Sequence, residues 1–165
     1  MTKENFNSAV AQTGRTIAAR ILPDKDVLET IEEICQAYNI KYGQISTCIG
    51  SLRKINMNYV SSSVFKYTTS MVMEGAFSIL AGQGLVSPAE EKDKLNTHLH
   101  FVISGQHDAI YGGHVEHGTR TLTTLDLFIT ELSGLKISRS RDEVTGAVVT
   151  SFEEDRSNSL NENRG

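Results

Sequence analysis

"RILPDKDVLETIEEICQAYNIKYGQISTCIGSL", residues 20–52, has the pattern of a strand, a helix and a second strand. Pro23 precedes the central part, and Asp24 or Asp26 can cap a helix whose early turns are acidic, as the positive helix end favours. Gly43 is a suitable stop. The apolar residues between them recur at three-to-four spacing and give one apolar face: Val27, Leu28, Ile31, Ile34, Cys35 and Tyr38. This stretch therefore predicts one amphipathic helix between two strands.

The sequence pattern of the rest of the chain predicts mainly strands. One segment, 15–22, precedes the helix, and residues 81–96 read as a charged, glycine-flanked loop. Six segments rich in β-branched or aromatic residues follow the helix: 44–52, 54–60, 66–80, 97–104, 109–118 and 121–132. We therefore predict an α+β fold, in which one main helix packs on a curved, largely antiparallel β-sheet.

The length of 165 residues suits one domain with short extensions. We place an α+β domain at residues 15–137, after an N-terminal polar segment at 1–14. Residues 138–165 form a polar C-terminal tail with the composition of a disordered or loosely attached segment.

Composition argues against several classes of protein. The formal net charge of -4 gives no electrostatic footprint for nucleic acid. No apolar run reaches the roughly 20 residues that cross a bilayer, and the first residues lack the apolar core of a signal peptide. Cys35 and Cys48 match neither a zinc knuckle nor a redox pair, so we expect two reduced core thiols in a cytoplasmic protein with no membrane contact.

All five histidines fall within residues 97–118. Alternation along a strand places His98 and His100 on one face. A turn centred near Gln106 would set His98 opposite His114 and His100 opposite Gly112. This pairing brings the three imidazoles of His98, His100 and His114 together, whereas a one-residue slip would turn His114 to the other face.

Three converging imidazoles match an open metal site, in which a fourth position is left to water or substrate. The alternative is that these histidines are polar residues on the solvated side of a sheet. We expect His107 to face solvent in the turn and His117 to lie on the opposite face. No nucleophile elbow or phosphate loop is present.

Catalytic residues are not identified by the sequence. Glu74, Glu116 and Asp126 can each serve as acid or base beside a metal, but nothing marks one of them out. Asp126 stands in the apolar segment 121–132 and is the carboxylate that we most expect to be partly buried.

Several motifs resemble the PPC domain (plants and prokaryotes conserved). Residues 20–52, ending in Ile-Gly-Ser-Leu at 49–52, resemble its opening strand, helix and strand. "MEGAFSIL" at 73–80 resembles its Gly-x-Phe-x-Ile-Leu segment, and residues 97–132 resemble its His-x-His strand, Gly-Gly-His turn and following acidic strand. The motifs occur in the family's order over about residues 15–137.

The resemblance implies an α+β fold assembled as a homotrimer, with a metal site at the positions matching His98, His100 and His114. Plant members carry an AT-hook ahead of the domain and use the PPC part for self-association and for contacting transcription factors. Stand-alone bacterial members are often described as DNA-binding by that association. An AT-hook needs Arg-Gly-Arg, which this chain lacks, so the DNA-binding assignment rests on analogy alone.

Three functions follow as hypotheses. The first is a homotrimeric interaction module, with a possible protein partner, whose three-histidine site binds zinc or another divalent transition metal. The second is a DNA-binding or transcription-associated protein. The third is a metal-dependent enzyme of unknown substrate, for which a pocket with a carboxylate beside the histidines is the discriminating feature.

Overall fold

The computed structural model describes residues 5–60, 67–105, 109–143 and 146–155. Within them the chain forms one helix and eight strands. These are β1 (Gln12–Ile21), α1 (Val27–Ala37), β2 (Gly43–Val60), β3 (Tyr67–Pro88), β4 (Leu95–Ser104), β5 (Ile110–Val115), β6 (Arg120–Ser133), β7 (Leu135–Arg141) and β8 (Val148–Glu154). The first six strands form one sheet in the order β1-β6-β2-β3-β4-β5, and β7 and β8 form a second.

Every pairing in the main sheet is antiparallel, as the sequence predicted. Strand β2 also pairs with β5 through Met57 and Val115, so the sheet curves back on itself. Register shifts interrupt the long β2–β3 and β2–β6 ladders, and such bulges bend and twist strands. One helix on this curved antiparallel sheet is the architecture, and strands dominate it more than the expected α+β class implied.

Helix α1 begins at Asp26, whose carboxylate accepts hydrogen bonds from the backbone N–H groups of Leu28 and Glu29. Its Oδ2 also accepts from the Gly118 N–H, which ties the helix start to the turn between β5 and β6. The predicted apolar face is confirmed for four buried residues, Val27, Leu28, Ile31 and Cys35. Tyr38 is not part of the buried face, contrary to the prediction: it is the C-cap and is 47% exposed.

Two predicted boundaries are wrong. Residues 44–52 and 54–60 form the single strand β2, and residues 81–88, expected to be loop, continue β3 as far as Pro88. Gly84 explains the second difference: a Cβ at this position would lie 2.2 Å from the His98 carbonyl oxygen of β4. Glycine here permits close strand pairing rather than ending the strand.

The polar segment after the main sheet forms strands β7 and β8, where the sequence predicts a loose tail. Strands β7 and β8 pair from Leu135 with Glu154 to Arg141 with Val148. Leu135 and Ile137 are buried, so one face of β7 packs inward. The end of the predicted tail, residues 156–165, lies outside the described residues.

The main sheet has an inner and an outer face. Helix α1 packs on the inner face, where a continuous apolar core includes both cysteine thiols, which are free and buried. The outer face exposes large apolar side chains on five neighbouring strands: Ile49, Val72, Leu80, Val102, Ile110, Leu122 and Phe128. Among the described residues, no helix has the length and apolar character to cross a bilayer.

Candidate metal centre

Strands β4 and β5 bring three of the five histidines together on the outer face. In β4 Leu99 and Phe101 point into the core, so His98 and His100 point outward. His114 of β5 pairs directly with His100. The ring centroids lie 5.0 Å apart for His98 and His100, 5.0 Å for His98 and His114, and 5.3 Å for His100 and His114.

The predicted register is wrong by two residues, since His114 lies opposite His100 rather than His98, and Gly112 lies opposite Val102. A shift of two positions keeps every side chain on its original face, which is why the imidazoles still converge. The turn at 106–108, including His107, lies outside the described residues.

Contacts from the helix fix the position of β4. The Thr97 N–H donates a hydrogen bond of 3.1 Å to Oε1 of Glu32 on α1. Burial raises the pKa of Glu32, and the contact with Thr97 opposes that rise. This contact anchors the strand immediately before His98.

The spacing of the imidazole nitrogens is compatible with one ion. Nε2 of His98 and Nε2 of His100 lie 3.1 Å apart. Two nitrogens about 2.0–2.1 Å from a tetrahedral zinc ion would be about 3.3 Å apart. One nitrogen from each of the three rings lies within 4.8 Å of the others, so small side-chain rotations let all three reach a common point.

The surroundings keep these imidazoles neutral. Burial, followed by the charge of Arg139, lowers the pKa of His98 to about 4. Burial and then His100 lower the pKa of His114 to about 4 as well. The pKa of His100 is lowered by burial and by Arg139. A neutral imidazole is the form that binds a metal, so the site is ready for an ion at neutral pH.

Glu116 is the candidate carboxylate that lies beside the cluster. Its Oε1 is 3.6 Å from Nε2 of His114 and accepts a hydrogen bond of 2.6 Å from the Asn58 side chain. The other two candidates are held in ion pairs elsewhere, Glu74 with Lys54 at 3.7 Å and Asp126 with Arg20 at 3.2 Å. Asp126 is 41% exposed there.

The remaining described histidine belongs to a second group. Nδ1 of His117 lies 3.7 Å from Oδ1 of Asp26, and Glu29 lies within reach of both. The Asp26 carboxylate is already engaged by the backbone N–H groups at the start of α1 and by Gly118. The role of Asp26 as the N-cap of α1 therefore explains why these three side chains lie together, without a metal ion.

Two neighbouring residues were not singled out by the sequence. Arg139 of β7 donates a hydrogen bond of 3.0 Å from Nη1 to Oδ1 of Asn96. Asn96 shares a strand face with His98 and His100, so the guanidinium stands beside the cluster. Arg139 is 41 residues beyond His98 in the sequence, and no local motif connects them.

An open depression adjoins the outer-face histidines. Gln44, Ser46, Gln83 and Leu85 line it together with His98 and His100. The depression offers neutral amide and hydroxyl groups next to the imidazole nitrogens. A small molecule bound there would contact the cluster directly.

Solved structures share this fold. A metal-containing protein from Archaeoglobus fulgidus is 25% identical, with a TM-score of 0.77 over 87% of this chain and 98% of that protein. A plant- and prokaryote-conserved protein from Pyrococcus horikoshii is 22% identical, with a TM-score of 0.74 over 92% of this chain and 99% of its own.

Among curated proteins, the bifunctional protein GlmU of Synechococcus sp. (strain JA-3-3Ab) is 23% identical over 132 residues, or 80% of this chain. The chain spans only 20% of the length of that relative. The model of the Plants and Prokaryotes Conserved (PCC) domain matches residues 8–133, most of the chain and all of the main sheet. The chain belongs to the Plants and Prokaryotes Conserved domain family.

Proposed function

We propose that this protein is a homotrimeric interaction module that binds a divalent transition metal, with zinc as the first choice, through His98, His100 and His114. The observation that carries the metal assignment is the convergence of three neutral imidazoles from adjacent strands. Imidazole suits zinc and its neighbours in the first transition series, and three such ligands leave one position open. A structural relative from Archaeoglobus fulgidus is a metal-containing protein, which supports metal binding but does not name the metal or its ligands.

The outer face supports self-association. Ile49, Leu80 and Phe128 are each about half exposed, at 52%, 53% and 45%. Contiguous apolar surfaces of this kind mark interaction sites, because water contact with them is unfavourable. The resemblance to PPC proteins indicates three copies, and packing of these faces would bury the apolar side chains.

We expect the purified protein to have a mass of about 54 kDa by light scattering, three times the chain mass of 18.1 kDa. Phe128→Asp should shift the mass toward that of one chain, because a carboxylate buried without a partner strongly disfavours the contact. Leu22→Asp is the matched control: Leu22 is 59% exposed but follows β1 outside the sheet face. A wild-type monomer would refute the trimer, and an unchanged Phe128→Asp assembly would refute this interface.

Metal affinity should change little between pH 7 and pH 6. Three imidazoles with the ordinary pKa near 6.5 would lose about 30-fold in the fully neutral form over this interval. Because the pKa of His98 and of His114 is lowered to about 4, protons compete with the metal only at lower pH. We expect less than about a threefold loss at pH 6 and a steep loss below about pH 4.

Competition titration of zinc against a chelator of known pH dependence measures this. The control is a peptide with three solvated histidines, which should show the larger loss. An equally large loss for the protein would show that the cluster does not hold its histidines neutral.

Glu116 favours metal-dependent hydrolysis as a second candidate. A metal with an open position can lower the pKa of bound water to about 7, and a nearby carboxylate can accept its proton. Asn58 holds the Glu116 carboxylate at the edge of the cluster. Hydrolysis of model esters by the zinc-loaded protein, reduced at least 100-fold in Glu116→Gln with zinc retained, would support this candidate. Equal rates in both proteins would exclude this role of Glu116.

A further inference from the structure

We propose that the hairpin of β7 and β8 adds an oxyanion site to the three-histidine cluster, in which Arg139 and the bound metal together hold a small carboxylate or phosphate monoester. This inference rests on the proposed metal site and names the class of ligand that completes it. The family match ends at residue 133, so Arg139 is contributed by the segment that follows the matched domain.

Packing holds Arg139 in place. Leu135 and Ile137 are buried on the same face of β7, and alternation along the strand places Arg139 on that buried face. The Nε atom of Arg139 is buried, and Nη1 donates to Oδ1 of Asn96. A guanidinium fixed by packing and a hydrogen bond loses little further freedom when it binds an anion.

The charges of a bound metal and of Arg139 favour a counter-ion at the cluster. Arg139 lies beside the cluster through its hydrogen bond to Asn96, which shares a strand face with His98 and His100. A divalent ion and Arg139 bring three positive charges, and Glu116 brings one negative charge, which leaves a formal excess of two. Like charges in a partly buried site repel strongly, so an anion between metal and guanidinium is favoured.

An oxyanion can bind the metal and the Arg139 guanidinium at the same time. One oxygen can occupy the open position on the metal, while another accepts hydrogen bonds from the planar guanidinium. The depression beside His98 and His100 offers Gln44, Ser46 and Gln83 to the rest of the molecule. These neutral groups fit a ligand whose remaining part is polar and uncharged.

Metal and anion should therefore bind cooperatively, each raising the affinity of the other by the same factor. Zinc affinity of the full chain is measured by chelator competition in an anion-poor buffer, and again with saturating acetate or methyl phosphate. We expect at least one of the two to raise zinc affinity about 10-fold or more. A larger effect of acetate identifies a carboxylate ligand, and a larger effect of methyl phosphate identifies a phosphate monoester.

Arg139→Gln should reduce that enhancement to less than about threefold and raise zinc affinity in the anion-poor buffer, because it removes the repulsion. Lys136→Gln is the matched control, since it removes one positive charge from the exposed, opposite face of β7. The control should behave as the wild type. An enhancement that survives in Arg139→Gln, or is lost equally in Lys136→Gln, would overturn the oxyanion site.

The two proposals fail in different ways. Wild-type protein that binds no zinc would refute the metal site itself. Wild-type protein that binds zinc through the three histidines, but with an affinity that neither anion changes, would refute the oxyanion site alone.

Discussion

His100→Ala should lose its metal while keeping its fold. The wild-type protein, purified without a histidine tag and loaded with zinc, should retain close to one equivalent per chain after desalting. Loss of an outer-shell partner already reduces metal affinity by about 10–100-fold, so loss of a ligand should cost at least about 100-fold. We expect His100→Ala to retain less than about a tenth of an equivalent by elemental analysis.

The structure separates loss of binding from loss of folding. His100 is exposed on the outer face, and surface substitutions of this kind usually change the free energy of unfolding by about 0.5 kcal/mol or less. Thermal unfolding of metal-free wild type and metal-free His100→Ala should therefore nearly coincide. A large drop in melting temperature would indicate a structural role for His100.

His117→Ala is the matched control, because its side chain is 58% exposed and contacts the separate group around Asp26. This variant should keep the full zinc content. The opposite result, zinc kept by His100→Ala and lost by His117→Ala, would move the metal to the start of α1.

The convergence of the histidines was predictable, although the register was not. Side-chain alternation in β4 and β5 depends only on which residues are strand, and those segments were identified from their β-branched and aromatic content. Register depends on the turn, and the centre assumed at Gln106 gave a pairing wrong by two residues. The three histidines still lie on one face of the sheet because the predicted register was wrong by an even number of residues.

Glycine was the main source of error in the strand boundaries. Gly82 and Gly84 suggested a loop, because glycine is depleted in strands and common in turns. In the structure both lie inside β3, where a Cβ would approach Phe101 at Gly82 and the backbone of His98 at Gly84. The sequence shows where glycine occurs. Whether that glycine forms a turn or permits close pairing of two strands depends on the residues of the opposite strand.

Contacts between site residues that are far apart in the sequence could not be predicted from local sequence patterns. Arg139 and Asn96 are 43 residues apart, and Glu116 reaches Asn58 over 58 residues. No periodicity relates such pairs, since their approach depends on how the strands are ordered. Strands β7 and β8 were not predicted because the chain is polar after residue 138. Only a few side chains of these two strands need to be apolar.

Gly50→Ala should destabilise the protein more than the usual glycine substitution in a strand. Gly50 has φ of +150°, and a Cβ would lie 2.2 Å from the carbonyl oxygen of Thr124 and 2.8 Å from Cα of Leu125 on β6. Both are backbone atoms of the paired strand, so a rotamer change cannot relieve the contact. Strained backbone costs about 1–3 kcal/mol and overpacking typically another 1–3 kcal/mol.

The expected loss in free energy of unfolding is therefore about 2–6 kcal/mol, or roughly 4–24 °C in melting temperature. Gly146→Ala is the control that isolates the backbone cost, since Gly146 has φ of +68° with nothing within 4 Å of its added Cβ. We expect about 1–2 kcal/mol there. Equal losses for the two variants would show that β6 shifts to accept a side chain at Gly50, and that close pairing of β2 with β6 is not what this glycine provides.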